Sequence, residues 1–197
     1  MGQRLVITAN YKNQEIAKIY FHWSAYTVSA LQEAYDLINE IDISDYTTIE
    51  DLQLQLIRYC ENNGGCVDGG AHSEEMKYVK FIFPKEEFKD TGNRNQGLIA
   101  ISDIGRDEIQ ENSEGDLIIN FDSQEVSNYC YIGWGLAGYK NYRKEEYEEE
   151  VDFNSMESLD LDIGRIPFND VSSAIADLQS LNDYVYFTGN EVIELIA

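Results

Sequence analysis

Three side chains with metal-binding and nucleophilic chemistry stand at even spacing: Cys60, Cys66 and His72, with five residues between each and the next. Thiolate and imidazole suit zinc, and His22 or Cys130 could supply a fourth ligand around the glycine-rich loop at 66–72. Zinc sites pair their cysteines roughly two to four residues apart, however, and this pair is wider. The simpler reading packs Cys60 as a small hydrophobe on a helix and leaves Cys66 and His72 in a surface loop. A Cys66 nucleophile paired with His72 or His22 needs a lowered thiol pKa, from a helix N-terminus or an imidazolium. Neither cysteine offers it: Cys60 lies near a helix end, and Cys66 follows the stop at 62–65. The glycines at 64, 65, 69 and 70 lack the Gly-Lys-Ser/Thr of a phosphate loop. Residues 160–164 begin like a calcium loop but lack its fifth-position and twelfth-position ligands. No cofactor is expected.

The other concentration of chemistry is negative charge. The chain has 37 acidic and 14 basic residues, a net charge of -23. From Glu145 onward there are 14 acidic residues against Arg165 alone, so that segment carries -13. Within it, Glu145, Glu146, Glu148, Glu149, Glu150 and Asp152 are interleaved with Tyr147 and preceded by Tyr139 and Tyr142, while Asp160 and Asp162 alternate with leucines. Carboxylates steer an encounter with a cationic surface, and aromatics that become buried supply anchor energy. Such a surface fits the basic channel of a nucleic-acid-binding protein. The competing explanation is a solvated face that keeps the chain soluble.

Composition sets the frame for these sites. With 43% hydrophobic and 12% aromatic residues, the chain is too rich in core material for a disordered acidic tail. Its 197 residues fit one domain, 1–197, whose C-terminal portion 139–197 is acidic. No stretch reaches the roughly 18 apolar residues of a membrane span, and residues 1–15 lack signal-peptide features, so a cytoplasmic protein is expected. Three cysteines without a secretion signal predict free thiols. The charge argues against direct contact with nucleic acid or an anionic membrane.

The elements that would position these residues are legible from periodicity. Residues 4–11 and 15–22 are β-branched and aromatic, with a turn at 12–14, and predict a hairpin. Ala30, Leu31, Ala34, Leu37, Ile38 and Ile41 recur at helical spacing after Thr27 or Ser29 as cap. A second helix starts at a capping box of Thr47 and Glu50 and runs to 62–65. Ser73 caps a short segment through Met76 and Val79, and Pro84 breaks the apolar run 81–83. A strand at 97–102, a short polar helix at 103–112, and strands at 116–121 and 126–132 follow, then a glycine-rich join at 133–138. After Pro167, Asn169 or Asp170 caps a helix with Val171, Ala174, Ile175, Leu178 and Leu181 on one face. Residues 184–187 and 191–196 predict a last hairpin. Blocks of strands and helices, without βαβ alternation, predict α+β with a mainly antiparallel sheet and three to four helices.

Residues 17–27 (AKIYFHWSAYT), 94–102 (RNQGLIAIS) and 113–116 (SEGD) resemble a group of uncharacterised small acidic phage and prophage proteins. The resemblance covers about the first two-thirds of the chain and transfers no catalytic motif. By analogy of class, it implies a counter-defence protein of the anti-CRISPR or nucleic-acid-mimic kind. Together these readings predict a non-enzymatic inhibitor in the host bacterial cytoplasm. It would occupy the basic nucleic-acid-binding surface of a host protein, a defence nuclease being one such target. A small Cys/His-dependent hydrolase or metal-dependent enzyme, and a phage structural module whose charge serves solubility alone, stand as the other readings.

Overall fold

The hairpin at the start of the chain organises everything after it. A computed structural model describes residues 4–42, 46–89, 92–93, 96–130 and 165–188, with side chains described as far as residue 179. Strands β1 (Leu5–Tyr11) and β2 (Gln14–Phe21) pair antiparallel across a two-residue turn. Lys12 and Asn13 both have positive φ there, 53° and 57°, the geometry whose twist matches that of the flanking strands. The helices α1 (Thr27–Glu40) and α2 (Ile49–Asn62) follow, then β3 (Cys66–Val67), α3 (Glu74–Ile82), β4 (Leu98–Ala100) and α4 (Asp103–Gln110). The described chain continues with β5 (Gly115–Asn120), β6 (Glu125–Tyr129), β7 (Arg165–Pro167) and α5 (Val171–Thr188).

The strands form one seven-stranded sheet in the order β3-β4-β2-β1-β5-β6-β7. The fold is α+β as expected, but the sheet is mixed. Ladders β1–β5 and β3–β4 are parallel, and five helices are described instead of three to four. Hairpin signals reveal only local antiparallel pairs. A parallel ladder needs a distant crossover, and β1 meets β5 only after the whole helical block. β3 and β7, of two and three residues, are too short to carry a periodic signal.

Alternation along β1 divides the core. Leu5, Ile7 and Ala9 face α1, α2, α3 and α5 in a large cluster with Leu31, Leu37, Leu56, Ile57, Met76 and Leu178. Val6 faces the other way and joins Tyr20, Cys66, Leu98, Ala100 and Ile109 in a small cluster under α4. Each fully buried Leu or Ile contributes about 1.5–3 kcal/mol of transfer free energy, so the helical face carries most of the stability. Beyond Val6 the second face turns polar, through Thr8, Asn10, Lys18, Asp116 and Asn120. Among the described residues, no helix is long and apolar enough to cross a membrane.

Three local expectations shift. Tyr26, not Thr27 or Ser29, is the N-cap of α1, with no side-chain bond; the buried Thr27 hydroxyl instead meets Asn128 Nδ2 at 3.2 Å. The α2 capping box lies one residue on: Thr48 Oγ1 accepts from Asp51 N–H at 3.1 Å, and Asp51 accepts from Thr48 N–H at 3.0 Å. These bonds hold the Asp51 carboxyl below its ordinary range, the Thr48 side chain most of all. Residues 184–187, expected as a strand, are the last turns of α5. Helix propagation needs only one further bond per residue, and no glycine or proline intervenes from Val171 to Thr188. The join at 133–138 and the strand at 191–196 lie outside the described residues.

On α1, burial pushes the Glu33 carboxyl above its ordinary value of 4.5, against the opposing bond from Ser24 Oγ–H at 2.8 Å and with help from Asp36. The folded state therefore holds this proton more tightly than the unfolded chain. Its contribution is full below pH 4.5 and is lost as pH rises through the folded value. Glu33→Gln keeps an oxygen for Ser24 and removes the ionisation. In thermal melts across pH, the variant is expected to melt above the natural chain at neutral pH, with the gap closing on acidification. A gap that widens on acidification contradicts the assignment.

Candidate functional site

The structure does not gather Cys60, Cys66 and His72, whose spacing suggested a metal, into one site, although Cys60 and Cys66 lie near enough to interact. Cys60 is fully buried in the main core, and burial, more than Cys66 or the nearby carboxylates, raises its thiol pKa. Cys66 sits in the cluster under α4, and His72 is exposed on the short turn Gly70–His72. Among the described residues, no three His, Cys, Asp or Glu side chains form a group that could hold a metal ion. Cys130 is half-buried, and its thiol is pushed up to about 12, by burial first and Asp116 second. Thiols held neutral in this way are poor nucleophiles. His22 bonds Tyr20 Oη through Nδ1 at 2.7 Å and meets the Trp23 ring edge-on. The acidic run and its aromatics, Tyr139, Tyr142, Glu145, Glu146, Tyr147, Glu148, Glu149, Glu150 and Asp152, lie outside the described residues, as do Asp160 and Asp162.

A second acidic surface, on α4, appears in the described body. Residues 1–130 contain 23 acidic and 10 basic residues, the same -13 as the segment after Glu145. Many of the bases are taken up internally. Arg4 pairs with Glu114 at 3.0 Å, Lys18 with Glu15 at 3.3 Å, and Arg58 with Glu61 and Glu86 at 2.6 Å each. Arg106 folds back from α4 onto Glu15 at 3.0 Å and Asp103 at 2.5 Å, while Lys77 meets Glu74 at 2.5 Å. Asp107, Glu108 and Glu111 remain exposed on and just after α4.

Between α3 and α4 runs a groove of about 520 Å³. Ser73 makes one wall, capping α3 by accepting from Met76 N–H at 3.0 Å and donating to the Asp68 carbonyl at 2.7 Å. Ser102 makes the other, capping α4 by accepting from Gly105 N–H at 3.0 Å. The two are locked by Glu75, a 7% exposed side chain of α3. Its Oε1 accepts from Ile101 N–H at 2.6 Å and Ser102 N–H at 3.1 Å, and its Oε2 accepts from Ser102 Oγ–H. A carboxylate that accepts several bonds at a helix N-terminus offsets its own desolvation.

The groove is mostly apolar in lining, through Tyr78 and Ile104, which are 41% and 73% exposed. Asp68 and Glu108 line it too, and they also line an adjoining polar hollow of about 230 Å³ with Tyr20 and Asn112. Neither carboxylate side chain has a hydrogen-bond or ion-pair partner among the described residues. The larger polar groove on the open sheet face, about 910 Å³, differs in this respect. There Lys18 is paired with Glu15, and Asp116 accepts from Gln110 at 2.9 Å and Ser113 at 2.8 Å. Unmatched charge beside exposed apolar side chains makes the α3–α4 groove the stronger candidate for contact with another molecule.

Sequence reasoning missed this groove because α4 reads as a short polar helix. Two signals for it are present: Ile104 is apolar in the otherwise polar start of α4, and Tyr78 lies off the buried Met76 and Val79 stripe. Comparison of the chain with protein-family models, curated proteins and solved structures finds no match.

Glu75→Ala would leave the buried Ile101 N–H without its acceptor, and is expected to cost about 2–4 kcal/mol in urea unfolding. Gly105→Ala should also destabilise, because an added Cβ would meet the Glu75 carboxylate and lie 2.9 Å from Ala100 Cβ. Stability within about 0.5 kcal/mol of the natural chain for both variants would contradict the locked arrangement.

Proposed function

We propose that this chain is a non-enzymatic acidic binding protein that inhibits a nucleic-acid-binding protein by occupying its basic surface. The observation that carries the reading is the unmatched acidity of a folded body: bases such as Arg4, Arg58 and Arg106 are bound to their own carboxylates, while Asp107, Glu108 and Glu111 stay exposed. A surface of that kind attracts a cationic partner over about a Debye length, roughly 10 Å at 0.1 M salt. The run from Glu145 to Asp152 adds a second block of like charge with Tyr147 inside it. The resemblance to phage and prophage proteins makes a bacterial defence nuclease the first target to try.

The test is capture of partners from a bacterial lysate on the immobilised full chain, then titration of each partner against salt and duplex DNA. The expected partners are basic nucleic-acid-binding proteins whose affinity falls with salt and which DNA displaces. Replacing Glu145, Glu146, Glu148, Glu149 and Glu150 together by Gln should slow association, by roughly tenfold, more than it speeds dissociation. Salt-insensitive binding without DNA competition would overturn the proposal.

A further inference from the structure

We infer that the α3–α4 groove is the seat of an arginine side chain from the basic partner, an assignment that rests on the reading of this chain as a binder of basic proteins. The groove combines two features that a guanidinium on an aliphatic stem satisfies together. Its lining offers exposed apolar surface at Tyr78 and Ile104, and with it the Asp68 and Glu108 carboxylates. An alkyl stem covers the first while the planar head bonds the second and stacks on the Tyr78 ring. A lysine ammonium is a more strongly hydrated point charge and gains less from the ring.

Charge complementarity selects this occupant over an acidic or neutral one. Lys77, the one basic residue in the groove's described lining, is bound to Glu74, and among the described residues neither Asp68 nor Glu108 has an ion-pair partner. The adjoining hollow, which shares both carboxylates, has no basic lining residue. Its Asn112 and Tyr20 add polar groups beside the head of an inserted side chain. The seat is also held in shape without a ligand, since Glu75 fixes both walls through its bonds to Ile101 and Ser102. Preorganisation of this kind lowers the ordering cost of binding.

The test is an amide-resolved NMR titration of the full ¹⁵N-labelled chain with acetyl-Gly-Arg-Gly-amide, alongside the lysine and citrulline counterparts. The expected result is a saturable shift confined to amides around Asp68, Tyr78, Ile104 and Glu108, weaker with lysine and absent with citrulline, which is isosteric but uncharged. Asp68→Asn and Glu108→Gln should each weaken arginine binding by roughly three- to fivefold, the loss of one partly screened charge-assisted contact. Both variants should fold, because neither side chain is bonded to the described body. Glu50→Gln, at an exposed position of α2, should leave the shifts unchanged. No shift at these amides, or equal shifts from arginine and citrulline, would overturn the seat, and equal shifts from lysine would overturn its assignment to arginine. DNA-competed, salt-sensitive capture of basic proteins that persists alongside such a failure removes the seat alone. Loss of that capture removes the wider reading.

Discussion

The arrangement of the groove depends on one buried carboxylate. Glu75 joins α3 to the β4–α4 junction by accepting from two backbone amides and a hydroxyl. Without them, a buried negative charge in a chain of net -23 would be costly. With them, the same charge sits at the N-terminus of α4, where the backbone dipoles favour it. Ser102, which Glu75 holds, caps α4, and the Glu75 carboxylate leaves no room for a Cβ at Gly105. Ser73 repeats the device at the start of α3, so both helices enter the groove with their first amides satisfied.

The second constraint is self-repulsion. A folded chain this acidic loses stability to its own field unless its bases are well placed. Here Arg58 bonds Glu61 and Glu86 and stacks over Phe88 at 5.0 Å, while Arg106 ties α4 back to β2 through Glu15. Those bases hold the body together, and they leave its outer face negative. Each such pair takes up one carboxylate with each cation, so the excess of 23 acidic over 10 basic residues in 1–130 remains, and exposed carboxylates such as Asp107, Glu108 and Glu111 carry part of it.

Much of the fold was legible in local pattern, and what was not has a physical reason. The β1–β2 hairpin, the stop after α2, Ser73 as a cap and the end of α3 before Pro84 all follow from residues in contact along the chain. The α2 box lies one residue on because Thr47 and Thr48 both carry a hydroxyl: Asp51 Oδ2 accepts from the Thr47 hydroxyl, while Asp51 N–H donates to that of Thr48, which makes Thr48 the cap. The parallel ladders and the short edge strands depend on contacts between distant segments, which periodicity does not report. The aromatic and β-branched stretch at 184–187 read as a strand, yet the helix begun at Val171 continues through it.

The run of carboxylates and aromatics up to Asp152 is local in sequence and lies outside the described residues. The α3–α4 groove draws on three separate segments, Asp68 after β3, Tyr78 on α3, and Ile104 and Glu108 on α4, so no single stretch of sequence announces it. The most direct test of the central claim is site-specific photo-crosslinking of the full chain to basic proteins captured on it from a bacterial lysate, with a photoreactive side chain at Ile104 or, as control, at Gln32 on α1. Crosslinking from position 104, suppressed by duplex DNA and absent from position 32, is the predicted result. A partner that crosslinks from position 32 and not from 104 would contradict it.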